Sequence, residues 1–168
     1  MHLAQINVGR LHHPLDDPRT ADFVDNLDRV NALAERSAGF VWRLQDDSGN
    51  ATSISAFDDP TILINMSVWA SVEALEAFAY KTVHDRFVQR RHEWFAPFEG
   101  PLLALWWVEA GHVPGTAEGR ERLAHLARFG PTAWAFDFGT RFPPAADAAP
   151  LSEPADDSGK APLYGSRS

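Results

Sequence analysis

The chain has 168 residues, 45% of them hydrophobic, which is enough for one well-buried core and too few for two ordinary domains. Its 23 acidic and 15 basic residues give a net charge of -8, which argues against a nucleic-acid partner. The absence of cysteine excludes disulfides, thiolate metal sites and a cysteine nucleophile. Neither a membrane-spanning segment nor a signal-peptide pattern is evident, so we expect a cytoplasmic protein with no membrane partner.

The first half of the chain alternates between the strand and helix periods. Residues 3–8, 40–44 and 62–68 alternate in polarity, which predicts three strands. Between the first two strands, apolar residues recur at helical spacing over residues 23–34, with Thr20 placed to cap the helix and Gly39 to end it. The pattern so far is strand, helix, strand, strand.

The second half begins with Ser71, a residue type that caps helices. The apolar stripe that follows loses its phase near residues 80–82, so two helices and one kinked helix are both consistent with it. Residues 102–108 are apolar on both faces, as expected for a central strand covered on two sides. Thr116 is placed to cap a short helix, and residues 134–138 predict a short last strand.

These elements predict an α+β fold of the ferredoxin-like, split βαβ type, an antiparallel sheet with its helices on one face. Such a sheet has a second apolar face, and a second copy of the chain is the simplest cover for it, so we expect a homodimer, a dimeric α+β barrel. The domain spans residues 1–142. Residues 143–168 are rich in Pro, Ala, Asp and Ser and predict a mobile tail.

Two polar residues interrupt an apolar helix face in residues 84–95. His84 and Arg91 share this face with Phe87, Val88 and Phe95, and two helical turns separate them by roughly 10.5 Å. An imidazole there serves as a base, a ligand or a hydrogen-bonded core residue. Arg91 needs an anion, which is either part of a ligand or a protein carboxylate such as Glu93 or Glu109.

Polar and aromatic residues on the strands are the other candidates. Asn7 follows Gln5 on one strand, and Asn65 precedes Ser67 on another, so each pair lines one strand face. These faces meet the helices, the solvent or a partner, and only in the first case do the residues belong to a site. The aromatic candidates for a ligand pocket are Trp42, Trp69, Tyr80 and Trp107. The His12 and His13 pair lacks a third ligand at a metal-site spacing, so we predict no metal.

Several phrases of the sequence recur together in one known group of proteins. They include AQINVGRL, INMSVWASVEALEAFAY, HDRFVQRRHEWF and LALWWVEAGHVPGTAEGRERLAHLARFGPTAWAF. By these phrases the chain resembles an uncharacterised bacterial family of domains of unknown function, over residues 3–138. More distantly, it is similar to the dimeric α+β-barrel superfamily, which includes the antibiotic biosynthesis monooxygenases.

The distant resemblance implies two kinds of chemistry. Cofactor-independent monooxygenases of the superfamily bind acidic aromatic substrates through Asn, Trp, Arg and Tyr, which implies roles for Asn7, Asn65, Trp69, Tyr80 and Arg91, with His84 as a base or ligand contact. Haem-degrading members use a strand Asn, a Trp at the end of a later strand and a helical His that ligates iron, and the resemblance places Asn7, Trp69 and His84 at these positions.

We therefore expect a small-molecule-binding protein. It is a cofactor-independent monooxygenase, an isomerase or a cyclase for an aromatic or anionic metabolite, with haem binding as one alternative. A non-catalytic ligand-sensing or interaction module is the other. The sequence leaves open whether the protein is an enzyme.

Overall fold

The described residues form five strands and four α-helices, which follow one another in the split βαβ order. The structure, a computed structural model, describes residues 1–81, 84–145 and 147–151, and the side chains of residues 81 and 84–88 lie outside this description. The elements are β1 (His2–Leu11), α1 (Ala21–Glu35), β2 (Phe40–Arg43), β3 (Ile62–Trp69), α2 (Val72–Lys81), α3 (His84–Trp94), β4 (Phe95–Ala96), β5 (Leu103–Val108) and α4 (Thr116–Phe129).

All strand pairs of the sheet are antiparallel, and β1 and β3 are its inner strands. The order is β2, β3, β1, with both β5 and the short β4 paired to the outer side of β1. The predicted α+β, ferredoxin-like class is thereby confirmed. The expected central position of residues 102–108 is wrong, because β5 lies at the edge of the ladder, where Leu105 and Phe136 exchange two backbone hydrogen bonds of 2.8 and 2.9 Å.

The two faces of the sheet carry two separate cores. Leu3 lies opposite Trp69 and Trp107 on one face, which packs against Ala34 of α1 and Leu75 of α2. The other face carries the even-numbered residues of β1 and packs against α4, through the buried side chains of Ala4, Ile6, Val8, Met66, Trp106, Leu123 and Leu126. The face that the sequence left uncovered is thus covered within the chain by α4.

Helix ends agree in part with the capping signals. Ser71 caps α2, since the Ala74 N–H donates to its Oγ at 3.2 Å. Thr20 precedes α1 without a hydrogen bond from its side chain, and Asp17 instead caps the short turn before it by accepting from the Arg19 N–H at 2.9 Å. The described part of α2 ends at Lys81 and that of α3 begins at His84. The choice between two helices and one kinked helix falls on residues 82–83, which lie outside the described residues.

Beyond α4 the described chain forms no further helix, and the strand predicted at residues 134–138 is reduced to the single bridge between Phe136 and Leu105. Phe142 packs against Phe136, with ring centroids 5.9 Å apart, and its carbonyl accepts from Trp107 Nε1 at 2.8 Å. The mobility of the chain after residue 142 stays a prediction. In the described part of the chain, no helix has the length and hydropathy needed to cross a membrane.

Candidate functional site

A cavity of about 350 Å³ lies between the sheet and the helices α1, α2 and α3. This volume is near the lower end of the range for small-molecule sites. Its walls are mainly apolar, with Phe23, Leu27 and Val30 from α1, Leu75 and Phe78 from α2, Trp94 from α3, and Phe95, Leu63 and Leu103 from the strands. The cavity therefore suits a ligand with a compact apolar body.

Four polar side chains of β1 and β3 form one connected patch at the base of the cavity, which we call the polar floor: Gln5, Asn7, Asn65 and Ser67. In the strand register Gln5 lies opposite Ser67, and Asn7 lies opposite Asn65. Strand alternation places all four on the same face, and the ladder places them side by side. This face meets the helices, which the sequence alone did not determine.

Hydrogen bonds link every member of the polar floor. Gln5 Nε2 donates to Asn65 Oδ1 and to Ser67 Oγ, both at 2.8 Å. Asn7 Nδ2 donates to Gln5 Oε1 at 3.2 Å and to Asn65 Oδ1 at 3.4 Å. Trp69 Nε1 donates to Ser67 Oγ at 2.8 Å. In this arrangement Asn65 Nδ2 is the amide group of the floor with no hydrogen-bond partner among the described residues.

Arg91 projects from the last turn of α3 into the cavity wall and is partly buried. Its guanidinium carbon lies 5.9 Å from the centroid of the Phe95 ring. No carboxylate among the described side chains pairs with it. The internal ion pair that the sequence offered with Glu93 or Glu109 is therefore not formed.

Glu93 instead pairs with the neighbouring Arg90, with Nη2 and Oε2 2.8 Å apart. Arg90 also reaches Asp22 of α1 at 2.9 Å. Hydrogen bonds to Glu93 and Asp22 raise the pKa of Arg90, and the bond to Arg90 lowers the pKa of Glu93. Of the two adjacent arginines, Arg90 is neutralised by protein carboxylates at the surface and Arg91 is left for the cavity.

A glycine on β1 brings the Phe95 end of the cavity close to the sheet. A Cβ atom on Gly9 would lie only 2.6 Å from Phe95 Cδ1, so the Phe95 ring rests directly on the Gly9 backbone. Phe95 in turn contacts the Arg91 guanidinium. Gly9 thus positions one end of the cavity, although nothing in its sequence context identified it.

The second arginine in the described lining, Arg43, is paired with a protein carboxylate. Arg43 of β2 is 2.8 Å from Glu35 and donates to the Gly49 carbonyl at 2.7 Å. Nearby, Asn31 Nδ2 donates to Asn50 Oδ1 at 2.8 Å, so the amide on the apolar stripe of α1 bonds to a side chain rather than to the backbone. The described lining contains no Asp, Glu or His, so its charged groups are both cationic.

Aromatic side chains close the other end of the cavity. Trp69 is fully buried, stacks on Phe78 at 5.2 Å and meets the Phe40 ring edge-on at 5.4 Å. Tyr80 stands at the rim, 52% exposed, with its ring 5.7 Å from that of Phe138. Trp69 is thus a wall of the cavity, and Tyr80 lies at its entrance.

The structure brings Asn7, Asn65, Trp69, Tyr80 and Arg91 together at this cavity. Two other candidates from the sequence lie elsewhere, and the His84 side chain lies outside the described residues. Trp42 lies opposite Val68 and packs into the core on the α4 side of the sheet. Trp107 lies on the cavity face but is engaged by Phe136 and the Phe142 carbonyl, away from the lining.

Gln5 and Ser67 are the lining residues that sequence reasoning noticed without choosing. The signal was present, since each lies two residues from a chosen asparagine on the same strand face. Asn50 carried no such signal, because it reaches the cavity only through the folding of the loop after β2. Arg43 lies on β2 itself, opposite Ser67 of the polar floor.

Solved structures of similar shape share little sequence with this chain. SnoaB from Streptomyces nogalater, a cofactor-independent oxygenase, is 15% identical, with 64% of this chain and 93% of that chain covered and a TM-score of 0.43. The NE2512 protein of unknown function from Nitrosomonas europaea is 14% identical, with 68% and 95% covered and a TM-score of 0.45.

A putative antibiotic biosynthesis monooxygenase from Chloroflexus aurantiacus J-10-fl is 18% identical, with 68% and 100% covered and a TM-score of 0.38. Because these TM-scores are below 0.5, the likenesses support no inference about activity. No protein with curated annotation matches the chain. The model of a domain of unknown function, DUF3291, matches residues 2–152. The chain therefore belongs to the DUF3291 family, as the phrases of its sequence indicated.

Proposed function

We propose that this protein binds a small organic anion with a compact apolar body in the cavity between the sheet and α1, α2 and α3. The observation that carries the proposal is Arg91, a cation in a mainly apolar wall that no described carboxylate neutralises. A partly buried charge is costly unless an anion accompanies it, and a carboxylate or phenolate accepts two N–H donors from a guanidinium in one plane.

The charge distribution of the chain supports the same ligand class. The protein as a whole carries a net charge of -8, whereas the charged residues of the described lining are Arg43 and Arg91. Because Arg43 is paired with Glu35, the uncompensated charge of the described lining is that of Arg91. In a protein of net negative charge, a small anion therefore finds a local counter-charge in the described lining at Arg91.

Replacing Arg91 by Met tests the proposal with 4-isopropylbenzoate, an anion with an apolar body, as the probe. Loss of a charge-assisted hydrogen bond costs about 1.5–3 kcal/mol. We expect the dissociation constant measured by calorimetry or ligand-observed NMR to rise by about 10- to 150-fold in Arg91→Met. The uncharged probe 4-isopropylbenzyl alcohol should bind the wild type and the variant to a similar extent.

The matched control is Arg29→Met, which makes the same substitution at an exposed position of α1 and changes the net charge equally. Its affinity for 4-isopropylbenzoate should stay near that of the wild type. Equal losses of affinity in Arg91→Met and Arg29→Met would show that the effect comes from the net charge of the protein and not from Arg91. No binding of 4-isopropylbenzoate to the wild-type protein would contradict the proposal outright.

The reactions expected from the sequence are cofactor-independent monooxygenation, isomerisation and cyclisation, and each is helped by stabilising an anion of the substrate. Arg91 and the Asn65 amide can supply that stabilisation. The described lining offers no Asp, Glu or His as a base, and the side chain of His84 lies outside the described residues. The geometry therefore supports ligand binding more directly than any one reaction.

Haem binding requires an iron ligand in the cavity. His84 was the expected ligand, and its side chain is outside the description. The described lining contains no other histidine. The described lining of the cavity thus offers iron no imidazole.

A further inference from the structure

We infer that Gln5 is a positioning residue that orients the Asn65 amide so that its N–H groups face the cavity, and that the ligand therefore carries a hydrogen-bond acceptor such as a carbonyl oxygen separate from its anionic group. The inference rests on the proposed function, since it names the chemistry of the same ligand. The inference adds the Asn65 amide as a second point that recognises the ligand, and Gln5 as the residue that turns the N–H groups of this amide toward the cavity.

Gln5 is 2% exposed and cannot be a principal ligand contact. Its amide is occupied on both sides, because Nε2 donates to Asn65 Oδ1 and Ser67 Oγ, and Oε1 accepts from Asn7 Nδ2. A buried side chain with these bonds has one stable orientation as long as the partners stay in place. Gln5 thus acts through its neighbours.

The bonds from Gln5 determine which end of the Asn65 amide is free. Asn65 Oδ1 accepts from both Gln5 Nε2 and Asn7 Nδ2 and has used its two lone pairs. Asn65 Nδ2 has no partner among the described residues, and it is not among the buried polar atoms that lack one. Because Asn65 lines the cavity, this NH₂ group is the donor available to a ligand.

Trp69 holds the polar floor from its other end. An indole N–H only donates, and Trp69 Nε1 donates to Ser67 Oγ at 2.8 Å. Ser67 Oγ also accepts from Gln5, so its own hydrogen is the part of the hydroxyl left to donate. Ser67 and Asn65 therefore both present donors, and a ligand oxygen that accepts is the complementary group.

The strand ladder places the two recognition points at different positions along β1. Arg91 lies against Phe95, whose ring rests on Gly9, and Asn65 pairs with Asn7 two residues along β1. Two residues of extended strand span roughly 7 Å. The anionic group and the acceptor of the ligand therefore bind at separate points along β1, and a six-membered ring with an acid group and a carbonyl group at opposite positions is a simple probe that holds the two groups apart.

The test compares 4-acetylbenzoate with 4-isopropylbenzoate, two acids of nearly the same shape, of which the first alone has an acceptor opposite the acid group. We expect the wild-type protein to bind 4-acetylbenzoate about tenfold more tightly, since the apolar analogue leaves the donors of the floor unpaired. The side-chain amide signals of Asn65 should shift in ¹H–¹⁵N spectra with 4-acetylbenzoate and stay in place with 4-isopropylbenzoate.

Gln5→Leu separates the positioning role from a merely structural one. Without Gln5, the Asn65 amide keeps only the longer bond of 3.4 Å from Asn7, so its orientation is less fixed. The preference between the two acids should then fall to within about twofold, as it should in Asn65→Leu. A structural defect would weaken both acids equally and keep their ratio, and that result would overturn the role of Gln5. Thermal unfolding and circular dichroism establish that each variant is folded before its ratio is read.

Two other results distinguish the hydrogen-bond donors of the polar floor from the binding of an anion at Arg91. If both acids bind the wild type equally, or if 4-aminobenzoate with its donor group binds best, the donor floor is overturned while anion binding at Arg91 stands. If neither acid binds the wild type, the proposed function itself fails.

Discussion

Two adjacent arginines on α3 show how one helical step separates a surface residue from a site residue. Arg90 and Arg91 face about 100° apart, which predicts that at least one reaches water. Arg90 is that residue, held by Asp22 and Glu93. Arg91 faces the cavity without a described carboxylate partner. The sequence identified Arg91 as a candidate, but only the positions of the described carboxylates show which of the two arginines they neutralise.

His125 provides a prediction about pH at the residue scale. It is 5% exposed, its Nε2 lies 3.0 Å from Thr132 Oγ1, and its ring packs 4.8 Å from those of Phe129 and Trp134. Burial, with a smaller contribution from the charge of Arg122, lowers its pKa below the ordinary value of 6.5. The folded state thus favours the neutral imidazole.

The unfolded chain binds a proton at His125 more readily than the folded chain does. The stability contributed by neutral His125 is therefore complete above the unfolded pKa and is lost as the pH falls below about 6.5. We expect wild-type protein to lose more thermal stability than His125→Gln between pH 7 and pH 5.5. Melting curves that fall in parallel would contradict the assignment.

At the scale of elements, α4 depends on a glycine to approach the sheet. A Cβ atom on Gly119 would lie 2.9 Å from Ile6 Cδ1 and 3.0 Å from Met66 Cε, so α4 packs closely on β1 and β3 at this point. Overpacking of a core costs about 1–3 kcal/mol. We expect Gly119→Val to lower the free energy of unfolding by this amount in denaturant titration.

Ala127→Val is the control for the intrinsic effect of a β-branched residue in α4. Ala127 lies on the exposed side of the same helix, so its substitution should change the free energy of unfolding by less than about 1 kcal/mol. Similar losses in both variants would argue against close packing at Gly119.

Most elements were predictable because their signals are local. The alternation in residues 3–8, 40–44 and 62–68 has the period of a strand, and β1, β2 and β3 form there. Ser71 caps α2, as its hydroxyl predicts. The position of β5 in the sheet was not predictable from its apolar run. A strand whose two faces are both buried has the same run of apolar residues at the edge of a sheet as at its centre. Phe136 forms its bridge with Leu105 on the outer edge of β5.

At the scale of the whole molecule, the packing of α4 on one face of the sheet affects the prediction of a homodimer. The homodimer was predicted from a sheet face with no cover, and α4 with Leu123 and Leu126 covers that face in the chain itself. An uncovered sheet face therefore no longer supports the homodimer, which stays a prediction. Light scattering after gel filtration checks it, since a homodimer has twice the chain mass of 18.6 kDa and a single-chain mass at micromolar concentration contradicts it.

The sequence by itself determined the order of strands and helices, the family, and the polar residues that interrupt apolar faces, among them Asn7, Asn65 and Arg91. These follow from periodicities of two and 3.6 residues and from recurring phrases, all of which are local. The tertiary structure alone decided that the Asn65 face of the sheet meets the helices, that Trp42 faces the other core, and that no described carboxylate neutralises Arg91. Each of these depends on contacts between residues far apart in the chain, and no local pattern encodes them.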